Sequence, residues 1–123
     1  MIIGVGADLV EIERIKDAVD KNINFLKKYF SSEEIDYFDS KNLNPETIAA
    51  NFAAKEAVSK AFGTGVRNFE LRDIEVLRNK IGKPYVVVHD KAKELKEELE
   101  IKNILVSLSH TDDYAIAYAV CEK

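Results

Sequence analysis

The chain is expected to fold as one α+β domain over residues 1–123, a small, mostly antiparallel sheet packed around a long central helix. Two observations support this. Helix-like segments crowd the first half and strand-like segments the second, which favours α+β over a doubly wound parallel sheet. The 123 residues are 46% hydrophobic and 33% charged, with no repeat, biased tract or linker, so one core fits and a second does not.

Residues 2–12 read as a strand passing into a helix that carries Arg14, Ile15, Ala18 and Val19. Residues 22–30 read as a short helix. Ser31 stands three residues before Glu34, the spacing of a capping box, and opens a helix through Phe38. Asn44-Pro45 is a helix start, with proline at the first helical position, and Gly63 is the stop. Residues 73–78 and 84–89 read as strands around the turn Asn79-Lys80-Ile81-Gly82. Asp90 is expected to cap a charged helix to about Glu98. Residues 104–108 and 114–121 close the chain as strands around Thr111-Asp112-Asp113.

Charge and cysteine content exclude several functions. Acidic residues outnumber basic ones 22 to 18, a net charge of −4, which argues against blanket attraction to nucleic acid. The single cysteine, Cys121, cannot form an intrachain disulfide and reads as a small buried hydrophobe. The apolar start meets Asp8 after seven residues, too soon for a signal peptide, and no run reaches membrane-span length. The expected setting is cytoplasmic, without a membrane or nucleic-acid partner.

Ordinary patterning breaks in three places. In the central helix Lys55 and Glu56 fall within or beside the arc of Ile48, Phe52, Val58 and Phe62, while the opposite side is mostly alanine. That spacing suits a buried ion pair, a snorkelling lysine, or a carboxylate and an ammonium facing a cleft. Glu56 and Lys60 also have the favourable i,i+4 order. In the first strand Asp8 interrupts an apolar run after Gly4 and Gly6; a carboxylate there needs a partner or a cation. One Asp and one Glu without a His or Cys cluster suit Mg²⁺. Finally, Ser107 to Asp113 gathers Ser, His and Asp, but triad members are rarely neighbours in sequence, and a strand end placing His110 at a cleft rim fits better. Gly4-x-Gly6 lacks the third glycine of a dinucleotide fingerprint, and Gly63-Thr64-Gly65 follows a helix C-terminus, so it is no phosphate loop. His89 reads as an ordinary strand residue.

Together, Gly4-Val5-Gly6-Ala7-Asp8-Leu9-Val10-Glu11, Phe52-Ala53-Ala54-Lys55-Glu56-Ala57 with its tail to Gly65, Gly82-Lys83-Pro84-Tyr85 and Ser107 to Thr111 resemble the short, single-domain 4′-phosphopantetheinyl transferases, the holo-[acyl-carrier-protein] synthase type. The resemblance covers essentially the whole chain. It implies that fold, and transfer of the phosphopantetheine arm of coenzyme A to a serine of apo acyl carrier protein, with adenosine 3′,5′-bisphosphate leaving. It implies Asp8 and Glu56 as Mg²⁺ ligands, and Lys55 and Lys60 as bases near the diphosphate and reacting centre, with Glu56, Lys55 or a metal-bound water as proton acceptor. His110 and the Gly82-Lys83-Pro84 turn match the coenzyme A site, and Arg14 matches a base that meets the carrier protein. A homotrimer with sites between subunits is implied as well. One departure stands out: Asn51 occupies a position that is usually basic in that family, leaving another base such as Lys41 or Arg67 to supply the contact. A non-catalytic coenzyme A or carrier-protein binding module, and a Mg²⁺-dependent pyrophosphohydrolase, are the competing readings.

Overall fold

In the computed structural model, which describes residues 1–123, the chain runs β1 (Ile2–Glu11), α1 (Ile12–Lys21), α2 (Phe25–Tyr29), α3 (Ser32–Ser40), α4 (Pro45–Ala61), a 3₁₀ turn (Leu71–Asp73), β2 (Ile74–Arg78), β3 (Pro84–Val88), α5 (Asp90–Glu98), β4 (Asn103–His110) and β5 (Tyr114–Glu122). One antiparallel sheet has the order β1-β5-β4, and β2-β3 form a separate hairpin. The α4 helix packs against β1, β5 and β4 on one side and against α1, the 3₁₀ turn and β2 elsewhere.

Local chemistry explains most boundaries. Ser31 accepts from the Glu34 backbone and Glu34 answers from its side chain, which completes the expected capping box. Asn44 accepts from the Glu46 N–H at the head of α4, with Pro45 in the first turn. Gly63 follows the helix at φ 84°, a conformation costly for other residues. Two expectations need correction. The α2 helix is confined to Phe25–Tyr29, because Asn22 closes α1 and Asn24 begins α2. His89, not Asp90, is the N-cap of α5; its ring lies 3.1 Å from Glu75, and Asp90 sits in the first turn at φ 49° with no side-chain cap.

The alanine side of α4, to which the sequence reading assigned no packing role, is covered. Ala49, Ala50, Ala53, Ala54, Ala57 and Ala61 are all buried, as are Lys55, Val58 and Ser59. The inner face of β5 explains this, since it presents only Ala115, Ala117, Ala119 and Cys121. The facing positions of β1 are glycines. A Cβ on Gly4 would lie 1.9 Å from the Ala61 carbonyl oxygen, and one on Gly6 would lie 2.0 Å from that of Ala57. Small residues on both surfaces bring helix backbone against sheet backbone, so the helix is enclosed nearly all round.

The outer face of the same sheet is exposed, with Val5, Leu9, Leu105, Ile116 and Tyr118 projecting from it. The run around Asp8 is therefore alternating rather than buried on both faces, because no element of this chain covers the outer side. Cys121 lies in the core, and burial pushes its thiol up to about 11.

A second core, between α1, α3 and the start of α4, is built on Phe30, Phe38 and Ile48. A polar junction adjoins it. Lys55 Nζ donates to Glu34 Oε1 at 2.6 Å and to the Leu71 carbonyl at 3.1 Å, and lies 4.9 Å from the Phe30 ring centre. Glu34 also accepts from the backbone N–H of Ser31 and Val76 and from the Asn51 amide. Both partners are fully buried. Burial pushes the Glu34 carboxyl up and the Lys55 ammonium down; mutual attraction opposes both shifts.

Two outcomes follow. Gly6→Ala forces α4 away from β1 and is expected to cost about 1–3 kcal/mol, read as a lower urea midpoint; an unchanged midpoint contradicts the close approach. Lys55→Met leaves Glu34 buried without its cation and is expected to cost about 3–5 kcal/mol at neutral pH. With the ammonium gone, the Glu34 pKa rises further, so the loss should shrink as pH falls and the carboxyl protonates. Equilibrium unfolding at pH 5 and pH 7.5 checks both magnitude and sign.

Candidate active site

Asp8 is on the inner face of β1, two residues after Gly6, where the sheet passes the last two turns of α4. Lys60 projects from α4 across that gap. Its Nζ donates to the Ala7 carbonyl at 3.0 Å and meets Asp8 Oδ1 at 3.2 Å. Glu56 stands one helical turn earlier. Burial is the main cause that raises its carboxyl, the Asp8 charge raises it further, and Lys60 works against both. Asp8, Glu56 and Lys60 thus form one half-buried cluster, and Lys60 is half exposed at its rim. Gly6 permits this because the Lys60 Cβ passes within contact distance of where a side chain would stand.

Two carboxylates and no nitrogen or sulfur donor match the preference of Mg²⁺, which takes one or two protein carboxylates and completes its shell with water and phosphate oxygens. No group of three or more His, Cys, Asp or Glu side chains is placed to hold a metal. The ligand-rich centre expected of a two-metal pyrophosphohydrolase is absent.

A cavity of about 550 Å³ opens between the N-terminal half of α4, the β2-β3 hairpin and the end of β4. Gly82, Lys83, Pro84 and His110 all line it, so the residues read as one binding group do share a wall. Gly82 sits at φ 85° in the hairpin turn, a left-handed position that favours glycine. His110 Nε2 lies 3.1 Å from Glu46 Oε2, across the mouth. None of Asp8, Glu56 and Lys60 reaches this cavity within one chain. Neither Lys41 nor Arg67 lines it.

Lys55 belongs to neither group. The cleft-facing alternative is not what the fold adopts: the ammonium turns inward to Glu34, away from Asp8 and Lys60. Arg14 is exposed on α1, apart from both sites. The sequence reading missed Glu34, Tyr37 and Arg78. Glu34 was visible as a cap, and its i,i+4 spacing to Phe38 was the available signal that it shares a buried face.

A family model described as the 4′-phosphopantetheinyl transferase superfamily matches residues 4–119. The holo-[acyl-carrier-protein] synthase of Clostridium perfringens is 53% identical over 126 residues, covering 99% of this chain and 95% of that protein. Among solved structures, the holo-[acyl-carrier-protein] synthase of Neisseria meningitidis superposes with a TM-score of 0.91 at 32% identity, covering 100% of both chains. A holo-(acyl-carrier-protein) synthase from Bacillus anthracis in complex with CoA (3′,5′-ADP) has a TM-score of 0.81 at 34% identity, covering 100% of this chain and 98% of that one. With the acidic pair, the lysine at its rim and the hairpin-walled cavity in place, the chain belongs to the 4′-phosphopantetheinyl transferase superfamily.

Proposed function

We propose that the protein transfers the 4′-phosphopantetheine group of coenzyme A to a serine hydroxyl of an apo acyl carrier protein, releasing adenosine 3′,5′-bisphosphate. It does so as a single domain over residues 1–123. The observation that carries this reading is the convergence of Asp8, Glu56 and Lys60 at the junction of β1 and α4. Phosphoryl-type transfer asks the protein for alignment and charge neutralisation rather than a covalent nucleophile.

Asp8 and Glu56 are the residues that hold Mg²⁺ in this reading. When bound, the ion neutralises charge on diphosphate oxygens. Lys60 adds its ammonium to the charge that gathers on the leaving bisphosphate. The incoming serine hydroxyl must lose a proton. Lys55 is sealed against Glu34 and does not reach it, which leaves the Glu56 carboxylate or a metal-bound water of the three acceptors first considered. Lys55 acts as a positioning residue that ties α4 to α3 and the 3₁₀ turn.

Coenzyme A occupies the cavity lined by Lys83, Pro84 and His110, with Gly82 allowing the hairpin backbone to come close. The acidic carrier protein docks on α1, where exposed Arg14, Lys16 and Lys21 offer local positive charge despite the net charge of −4. Further support comes from the uncovered sheet face: Val5, Leu9, Ile116 and Tyr118 suit burial in a homotrimer. Such an assembly brings one chain's acidic cluster to a neighbour's cavity. In this reading the reaction runs in the cytoplasm, where coenzyme A and an acyl carrier protein would be met. Separately, no helix is long and apolar enough to cross a membrane.

Intact-mass spectrometry of an apo carrier protein incubated with this protein, coenzyme A and Mg²⁺ tests the reading. The carrier is expected to gain one phosphopantetheine. A chelator should abolish the gain, and Glu56→Ala should slow it by at least about 100-fold. No gain in mass with coenzyme A still bound would instead indicate a non-catalytic binding module.

A further inference from the structure

Arg78, the last residue of β2, is placed unusually for an arginine. Its Nη2 donates to Asn51 Oδ1 at 2.8 Å. Its Nη1 is buried and has no hydrogen-bond partner, the one side-chain polar atom in the protein so placed. No carboxylate forms an ion pair with it. An unpaired donor on a buried cation is costly, and folds seldom retain one without use.

The guanidinium is held there by a chain of fixed partners. Asn51 Nδ2 donates to Glu34 Oε2 at 3.3 Å and to the Val76 carbonyl at 3.0 Å. That fixes the amide orientation, so Oδ1 can face only Arg78. On its other side the Arg78 Cζ lies 5.2 Å from the centre of the Tyr37 ring. Arg78 and Tyr37 both line the 550 Å³ cavity, together with Lys83 and His110. The sole acidic residue on that wall, Glu46, is engaged by His110. The site is therefore cationic, with the unpartnered Nη1 of Arg78 at its back.

We propose that Arg78 is the specificity-determining residue of this cavity and binds the 3′-phosphate of the coenzyme A donor. Asn51 holds it as a positioning residue. This rests on the transferase reading above. The donor carries three phosphoryl groups. Two belong to the diphosphate whose bond breaks, and these lie with Asp8, Glu56 and Lys60, none of which reaches the cavity. The remaining phosphate monoester is the group left for Arg78, Lys83 and His110. A guanidinium fork suits a phosphate monoester, since two N–H groups can meet two oxygens. On binding, the Tyr37 ring yields and Nη1 gains a phosphate oxygen. In this chain the base therefore comes from β2, while Asn51 on α4 orients it.

Titration calorimetry with coenzyme A and with 3′-dephospho-coenzyme A tests the proposal on the intact protein without carrier. Wild type should bind coenzyme A at least about tenfold more tightly than the dephospho form. Arg78→Gln should weaken coenzyme A by about 10- to 100-fold and the dephospho form by less than about threefold. Arg78→Lys, which keeps charge but loses the fork, should fall between. Thermal melts of each variant confirm that it is folded. Equal weakening of both ligands, or of neither, overturns the proposal. So does a wild type that binds both equally well, whatever the variants do. A wild type that binds neither ligand overturns the transferase reading as well, which distinguishes that failure from failure of Arg78 alone.

Discussion

Everything in this fold depends on how closely α4 approaches β1 and β5. That approach exists because one surface carries Gly4, Gly6 and a row of alanines, while the other carries Ala57, Ala61 and their neighbours. Dispersion between backbones replaces the usual interleaving of large side chains. The chemistry follows directly. Lys60 reaches Asp8 and the Ala7 carbonyl because its helix turn lies against the strand rather than a side-chain layer above it. A wider gap would separate Asp8 from Glu56 and Lys60, and the cluster would become three unrelated surface charges.

The buried junction around Glu34 fixes the other side of the helix. One carboxylate collects bonds from α3, α4 and β2, and its partners lead outward to the cavity through Asn51 and Arg78. A charged pair in a core adds little net stability compared with apolar packing. Its value here is geometric: it fixes the rotation of α4 about its own axis. The rotation of α4 in turn decides where Glu56 and Lys60 point. Lys55 thus influences the site from a position where it touches nothing that reacts.

Much of the architecture was legible in the sequence because it is local. Ser31 to Glu34, Asn44-Pro45 and Gly63 each state a boundary through chemistry that spans three or four residues. Asp8 announced itself as a carboxylate in an apolar run. What the sequence hid depends on distance along the chain. Lys55 could be read as buried or cleft-facing, and its partner lies 21 residues away. Arg78 meets Asn51 across 27 residues, and Glu34 meets the Val76 backbone across 42. Periodicity carries no information at such separations. The packing role of the alanine side of α4 was hidden for a related reason. Alanine reads as indifferent to burial, and only the matching small residues on β1 and β5 reveal that it is an interface.

The strand order has a consequence for how the molecule comes into being. The central strand of the three-stranded sheet is β5, which follows every element it joins, and it pairs on one side with β1 from the opposite end of the chain. Met1 and Lys123 even exchange two hydrogen bonds, at 2.9 and 2.8 Å. During synthesis β1 and α4 leave the ribosome long before the strand that joins β1 to β4. Until then the small-residue surface of α4 lacks the cover that β5 supplies, and β1 presents two bare edges instead of one. Completion of this sheet thus waits for β5, and joining β5 to β1 closes a loop that spans nearly all of the described residues.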